Sequence, residues 1–174
     1  MQILDQYKIQ FSGLTSGVYN FNFQITNSFF EATSFPEVES GDIAVLVKLE
    51  KSENLMVLDF QLDGGLELMC DRCLEYFTYP ISIAEQLIVR QVADAKESED
   101  DNLLFIELQA HTLDLSQFLY DYINIALPIQ RIHPEDEQGK SSCNQEMLDQ
   151  IEKYSKPINN SQWDALKDFN TDVN

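Results

Sequence analysis

Four residues in this chain carry side chains suited to a soft or borderline metal ion: Cys70, Cys73, His133 and Cys143. Cys70-Asp71-Arg72-Cys73 spaces two thiols so that one turn can present both sulfurs to a single tetrahedral ion. His133 and Cys143 flank the polar stretch Pro134-Glu135-Asp136-Glu137-Gln138-Gly139-Lys140-Ser141-Ser142, which has little internal reason to order itself. Closing that stretch onto the cysteine turn gives a Cys3His set. Zinc in a structural role suits such a set, because thiolates and imidazole close a tetrahedron around it without redox chemistry. Spacing alone fits ordinary reduced cysteines equally well, since zinc knuckles usually pair two short motifs and this chain has one. A third reading is a redox or metal-handling protein built on the Cys70/Cys73 pair. In thioredoxin-like proteins that motif follows a strand and opens a helix. Here Leu74-Glu75-Tyr76-Phe77-Thr78-Tyr79-Pro80 reads as a turn into another strand, which disfavours redox work. His111 reads as a connection residue.

Other catalytic signatures are missing. The sequence has no G-x-x-x-x-G-K phosphate loop and no G-x-S-x-G elbow. A Cys143/His133 nucleophile pair is conceivable, but closeness in sequence says nothing about geometry. Carboxylates are too abundant for any Asp/Glu pair to be informative. An enzyme acting on precursor RNA would need acidic metal ligands converging in one pocket, which a sequence cannot display. The expectation is a non-catalytic protein.

Thirty acidic residues oppose 11 basic ones, for a formal charge of −19 and a pI near 4.1. Such a field repels phosphate backbones and anionic membranes. It points to basic proteins as partners, with RNA reached only through a local site such as Arg72, Arg131 and Lys140. The start, Met1 to Tyr7, lacks the basic and apolar runs of a secretory signal. No segment approaches the roughly 20 apolar residues of a membrane-spanning helix. The expected compartment is therefore the cytoplasm, and three cysteines, an odd number with two as Cys-x-x-Cys, suggest metal or redox chemistry before a disulfide framework in an unexported chain.

These side chains must be positioned by a strand-rich scaffold. Tyr19, Phe21, Phe23 and Ile25 alternate with Val18, Asn20, Asn22 and Gln24, the period of a strand with one buried face. Ile43–Glu50, Leu55–Leu62, Leu66–Cys70 and Thr78–Val92 read as further strands. Lys51–Asn54 reads as a hairpin turn, and Asp63-Gly64-Gly65 as a turn or bulge. The acidic run 94–102 reads as a surface connection leading to a closing strand, 103–108. Leu115, Phe118, Leu119, Tyr122, Ile123, Ala126 and Leu127 repeat at helical spacing, with Asp114 as a cap and Pro128 as the stop. A second helix is expected at 145–154. The fold class is α+β: a curled antiparallel sheet, one main helix and a C-terminal helical arm. The expected organisation is a single domain over 1–154, then a linker and short arm over 155–174 that carries Trp163.

Four pieces in order resemble the YceD-like family. They are Cys70-Asp71-Arg72-Cys73-Leu74-Glu75, Ile125-Ala126-Leu127-Pro128, His133 followed by Cys143, and Trp163-Asp164-Ala165-Leu166. The polar loop before Cys143 is longer than in many relatives. The resemblance covers about Leu66 to the end. It implies a bacterial cytoplasmic factor needed for accumulation of large-subunit ribosomal RNA, and it implies that Cys70, Cys73, His133 and Cys143 act together. Its partners are then expected to be ribosome assembly factors or basic ribosomal proteins. Ribosomal RNA itself is opposed by the charge, and no membrane is involved.

Overall fold

Strands whose residues are alternately buried and more exposed build a five-stranded sheet. The computed structural model describes residues 3–35, 37–96, 98–135 and 139–155. By contact density the chain divides into two compact units, Met1–Ile132 and His133–Asn174.

In the first unit the sheet runs in the order β2 (Gly17–Ile25), β3 (Ser40–Lys51), β4 (Leu55–Met69), β5 (Tyr76–Val92) and β6 (Leu103–Glu107). The first four strands form an antiparallel meander. The fifth, β6, pairs parallel to β5, from Ile88 opposite Leu103 to Val92 opposite Glu107. The fold is therefore α+β with a mixed, open sheet. A separate two-stranded ribbon joins β1 (Lys8–Gln10) to β7 (Thr112–Asp114).

One face of the sheet is the core. Ile43, Val45, Val47 and Leu49 on β3, Met56, Leu58, Phe60 and Leu62 on β4, and Ile81, Ile83, Leu87 and Val89 on β5 all turn inward and are buried. Helix α1 (Asn27–Thr33) contributes Phe29 and Phe30 to this core. Helix α2 (Ser116–Ala126) contributes Leu119, Tyr122 and Ile123. The phenyl ring of Phe60 meets Tyr122 edge to face at 5.3 Å, so α2 lies against the inner face at β4. Asp114 accepts from the Ser116 amide at 2.9 Å, but it lies one residue ahead of the N-cap, which is Leu115 and makes no side-chain cap bond.

The segment Asp63-Gly64-Gly65 is neither a turn nor a bulge. It runs straight through β4, pairing with Ala44, Ile43 and Asp42 on one side and with Ser82, Ile81 and Pro80 on the other. Glycine is required there by close approach: a Cβ on Gly64 would lie 2.2 Å from the Asp42 carbonyl oxygen and 2.7 Å from Ile43 Cα.

In the second unit, α3 spans Gln145–Ser155, the helix expected at 145–154. Asn144 Oδ1 accepts from the Glu146 amide at 3.0 Å and caps its start. The expected linker and Trp163 arm lie outside the described residues. No helix among the described residues is long and apolar enough to cross a membrane.

Candidate metal centre

The long β4–β5 ladder ends at the Met69–Tyr76 pair, and the chain reverses in the residues between. This reversal is the cysteine turn. The Cys70 amide donates to the Glu75 carbonyl and the Leu74 amide to the Cys70 carbonyl, both at 2.9 Å. The Arg72 amide donates to Cys70 Sγ at 3.5 Å. That contact fixes the direction of the Cys70 sulfur within the turn. Closing so tight a turn forces Leu74 to φ 60°, a left-handed conformation that a glycine would adopt without strain. Cys70 is fully buried and Cys73 nearly so.

A second anchor holds the far end of the first unit against this turn. The Asp71 amide donates to the Arg131 carbonyl at 2.7 Å, and the Arg131 amide donates back to Asp71 Oδ2 at 2.8 Å. Arg131 Nε also stands 3.8 Å from Asp71 Oδ1, an ion pair too long to be a hydrogen bond. Arg131 precedes His133 by two residues in the sequence.

In the second unit, the ends of the polar stretch pair with each other. Glu135 and Ser141 form an antiparallel bridge, and Ser142 Oγ donates to the Pro134 carbonyl at 2.8 Å. The Cys143 amide donates to Ser141 Oγ at 3.2 Å. These contacts bring His133 Nδ1 to 3.7 Å from Cys143 Sγ. The described ends of the stretch expected to lack internal order thus pair with each other, and Gly139 takes φ 76°.

The ligand atoms of Cys70, Cys73, His133 and Cys143 all lie within 4.8 Å of one another. The three cysteines form no disulfide. Such a group of buried sulfurs and one imidazole could hold a metal ion. The geometry can be tested against zinc. Bonds of about 2.3 Å to sulfur and 2.0–2.1 Å to nitrogen, at tetrahedral angles, put the two ligand atoms about 3.6 Å apart. The observed 3.7 Å between His133 Nδ1 and Cys143 Sγ matches that edge. His111, by contrast, serves through its backbone: its carbonyl accepts from the amides of Phe11 and Ser12.

The protein-family model described as "Large ribosomal RNA subunit accumulation protein YceD" matches residues 58–170. The chain belongs to the YceD family. The matched span takes in the cysteine turn, α2, the Asp71–Arg131 latch and the His133–Cys143 stretch. No curated protein and no solved structure matches the chain. YceD membership assigns the chain a role in accumulation of large-subunit ribosomal RNA.

Sequence reasoning missed two parts of this centre. The Asp71–Arg131 latch joins two charged residues 60 positions apart, and no spacing rule marks them. The left-handed Leu74 follows a Cys-x-x-Cys pair directly, and a turn that must point both sulfurs one way is the available signal for it.

Proposed function

We propose that this YceD protein is a non-catalytic cytoplasmic assembly factor, which supports large-subunit ribosomal RNA by binding basic proteins. A structural zinc held by Cys70, Cys73, His133 and Cys143 fixes its form. The observation that carries this reading is the approach of four ligand atoms to within 4.8 Å. Four protein ligands complete a tetrahedron and leave no position for water or substrate, which is the pattern of a structural ion rather than a catalytic one. Burial of Cys70 and Cys73 also favours a closed site over a dithiol that exchanges with outside partners.

The charge supports protein contact. Three thiolates, one neutral imidazole and Zn²⁺ carry a local charge near −1, so the ion creates no basic patch. Against a chain charge of −19, phosphate approach is opposed and a basic ribosomal protein is attracted. Arg72, Arg131 and Lys140 remain the cations nearest in sequence to the ligands, and Arg131 is already engaged by Asp71.

The test is capture from cell lysate on the full chain, with and without ribonuclease. Recovery of large-subunit proteins or assembly factors that survives ribonuclease supports the reading. Recovery that vanishes on treatment replaces it with direct RNA attachment, and recovery of neither class overturns it.

A further inference from the structure

The inner face of β5 carries one residue that contradicts its pattern. Ile81, Ile83, Leu87 and Val89 point into the core and are buried, and Glu85 occupies the same parity between them. Its partner across the ladder is the buried Phe60. An acid at an inward position of an apolar strand is costly unless something compensates it. Glu85 is relieved because the sheet is open at this point. β6 pairs with β5 only from Ile88 onward, and Ala84, Glu85 and Gln86 are all exposed.

Beside Glu85 lie residues of α2 from Phe118 to Ile125. A cavity of about 540 Å³ is lined there by Glu85, Asp101, Asp121 and Tyr122, with Phe118 and Ile125 among its apolar groups. Among the described residues, three carboxylates line it and no lysine, arginine or histidine does. Tyr122 is 8% exposed, and its hydroxyl has no hydrogen-bond partner among the described residues. A buried hydroxyl gains from any partner that reaches it, and this one stands within the field of Glu85 and Asp121. Ile125 is 79% exposed beside it.

We infer that this cavity receives an arginine or lysine side chain from a basic protein partner. The inference deepens the reading of a basic protein partner and rests on it. The chemistry is complementary in each part. A guanidinium brings several N–H donors to a lining of carboxylates and an acceptor-capable phenol oxygen. The Phe118 ring offers a face for the cation, and Ile125 covers the aliphatic stem. The volume is that of a side-chain or small-ligand pocket rather than a bare ion. A nucleic acid brings only anionic phosphate to three carboxylates and is rejected.

Because any polycation will adhere to so acidic a chain, the test must separate the cavity from the diffuse field. The full-length protein is titrated with the peptide Ac-Gly-Arg-Gly-amide and with its uncharged citrulline counterpart, followed by amide NMR. Shifts centred on Glu85, Asp101 and Phe118–Ile125 for the arginine peptide, and absent for citrulline, are expected. The Glu85→Gln/Asp121→Asn pair should weaken binding at least tenfold. A charge-matched control, Glu50→Gln/Glu53→Gln, should change it less than twofold. Tyr122→Phe should weaken binding at least threefold while leaving the melting temperature equal or higher, a combination that a purely structural hydroxyl would not give. Equal losses in both double variants, or shifts scattered over the surface, overturn the inference. If the peptide binds here but lysate capture yields no large-subunit proteins, the cavity stands and the ribosomal reading falls. If a short single-stranded RNA competes for the same resonances, the choice of protein over nucleic acid is wrong.

Discussion

Asp71 and Arg131 exchange backbone amides: each donates its N–H to the other residue, at 2.7 Å to the Arg131 carbonyl and 2.8 Å to the Asp71 carboxylate. This pair ties the cysteine turn to the chain immediately before His133, so it should govern both fold and ligand placement. Asp71→Ala removes the carboxylate half and leaves the backbone half. The residue is about half exposed, so the expected loss is only about 1 kcal/mol in urea unfolding. Zinc affinity should fall roughly tenfold in chelator competition, as for other groups that orient a metal ligand without touching the ion. Asp71→Asn keeps an acceptor and should fall between. Wild-type stability together with wild-type zinc affinity in Asp71→Ala would show that the latch positions nothing.

Protein purified without added metal should contain one zinc per chain, and Cys73→Ser should lose it. Chelator at neutral pH should lower the melting temperature of the wild type and leave Cys73→Ser unchanged. Protons compete for thiolate and imidazole ligands, so zinc should be released as pH falls and retained as pH rises. A metal-free chain whose three thiols all react rapidly at neutral pH would remove the zinc centre.

The parts of this fold legible in the sequence are those set by local period. Phe21 lies between Asn20 and Asn22, and Val45, Leu58 and Ile83 are each buried between neighbours that are more exposed, as the period of two requires. The 3.6-residue repeat from Leu115 to Ile123 likewise placed α2. What the sequence concealed depends on contacts across strands. Asp63-Gly64-Gly65 has turn composition, yet its glycines answer to the backbone of β3. The parallel direction of β6 follows from how the acidic run 94–102 crosses back, and such a run carries no direction signal. The Cys70/Cys73 spacing marks the cysteine turn, whereas grouping it with His133 and Cys143 follows from ligand chemistry and not from any local period. Glu85 was visible all along as the single acid in an inward apolar series, but an excess of carboxylates masked it.

Gly64→Ala tests the reading of β4 as continuous. The added Cβ would overlap the Asp42 carbonyl and Ile43 Cα, both backbone atoms that cannot swing aside. Spreading two central strands should cost about 3 kcal/mol or more. Gly13→Ala is the control, since a Cβ there meets nothing within 4 Å. It should be neutral to within about 0.5 kcal/mol. Equal stability for the two variants, measured by urea unfolding, would mean that β4 bends or bulges at these glycines after all.

Leu74→Gly should stabilise the protein. At φ 60° the leucine Cβ crowds its own backbone, and its side chain is 58% exposed, so little burial is lost on removal. Relief of strain, less the extra freedom of glycine in the unfolded chain, should leave a gain of about 0.5–1 kcal/mol. Leu74→Ala keeps a Cβ and should give none of it. Zinc content should be unchanged in both. A Leu74→Gly variant less stable than the wild type would show that the side chain makes a contact worth more than the strain.

Tyr122 gives the fold a dependence on alkaline pH. Burial first, then the charges of Glu85 and Asp121, push its phenol from 10.0 up to about 12. In the unfolded chain the same phenol ionises near 10. Below pH 10 both states keep the proton, and the contribution is complete. Between about 10 and 12 the unfolded state loses its proton first, so stability must fall as pH rises, by roughly 2–3 kcal/mol in all. Tyr122→Phe has no proton to lose and also removes a buried hydroxyl that has no partner among the described residues. It should match or exceed the wild type at neutral pH, and its advantage should widen steadily above pH 10. Urea unfolding of both proteins at pH 8, 10 and 11.5 measures that difference directly and cancels the repulsion common to the whole acidic chain. A constant gap across the three values would place the phenol in water rather than against Glu85.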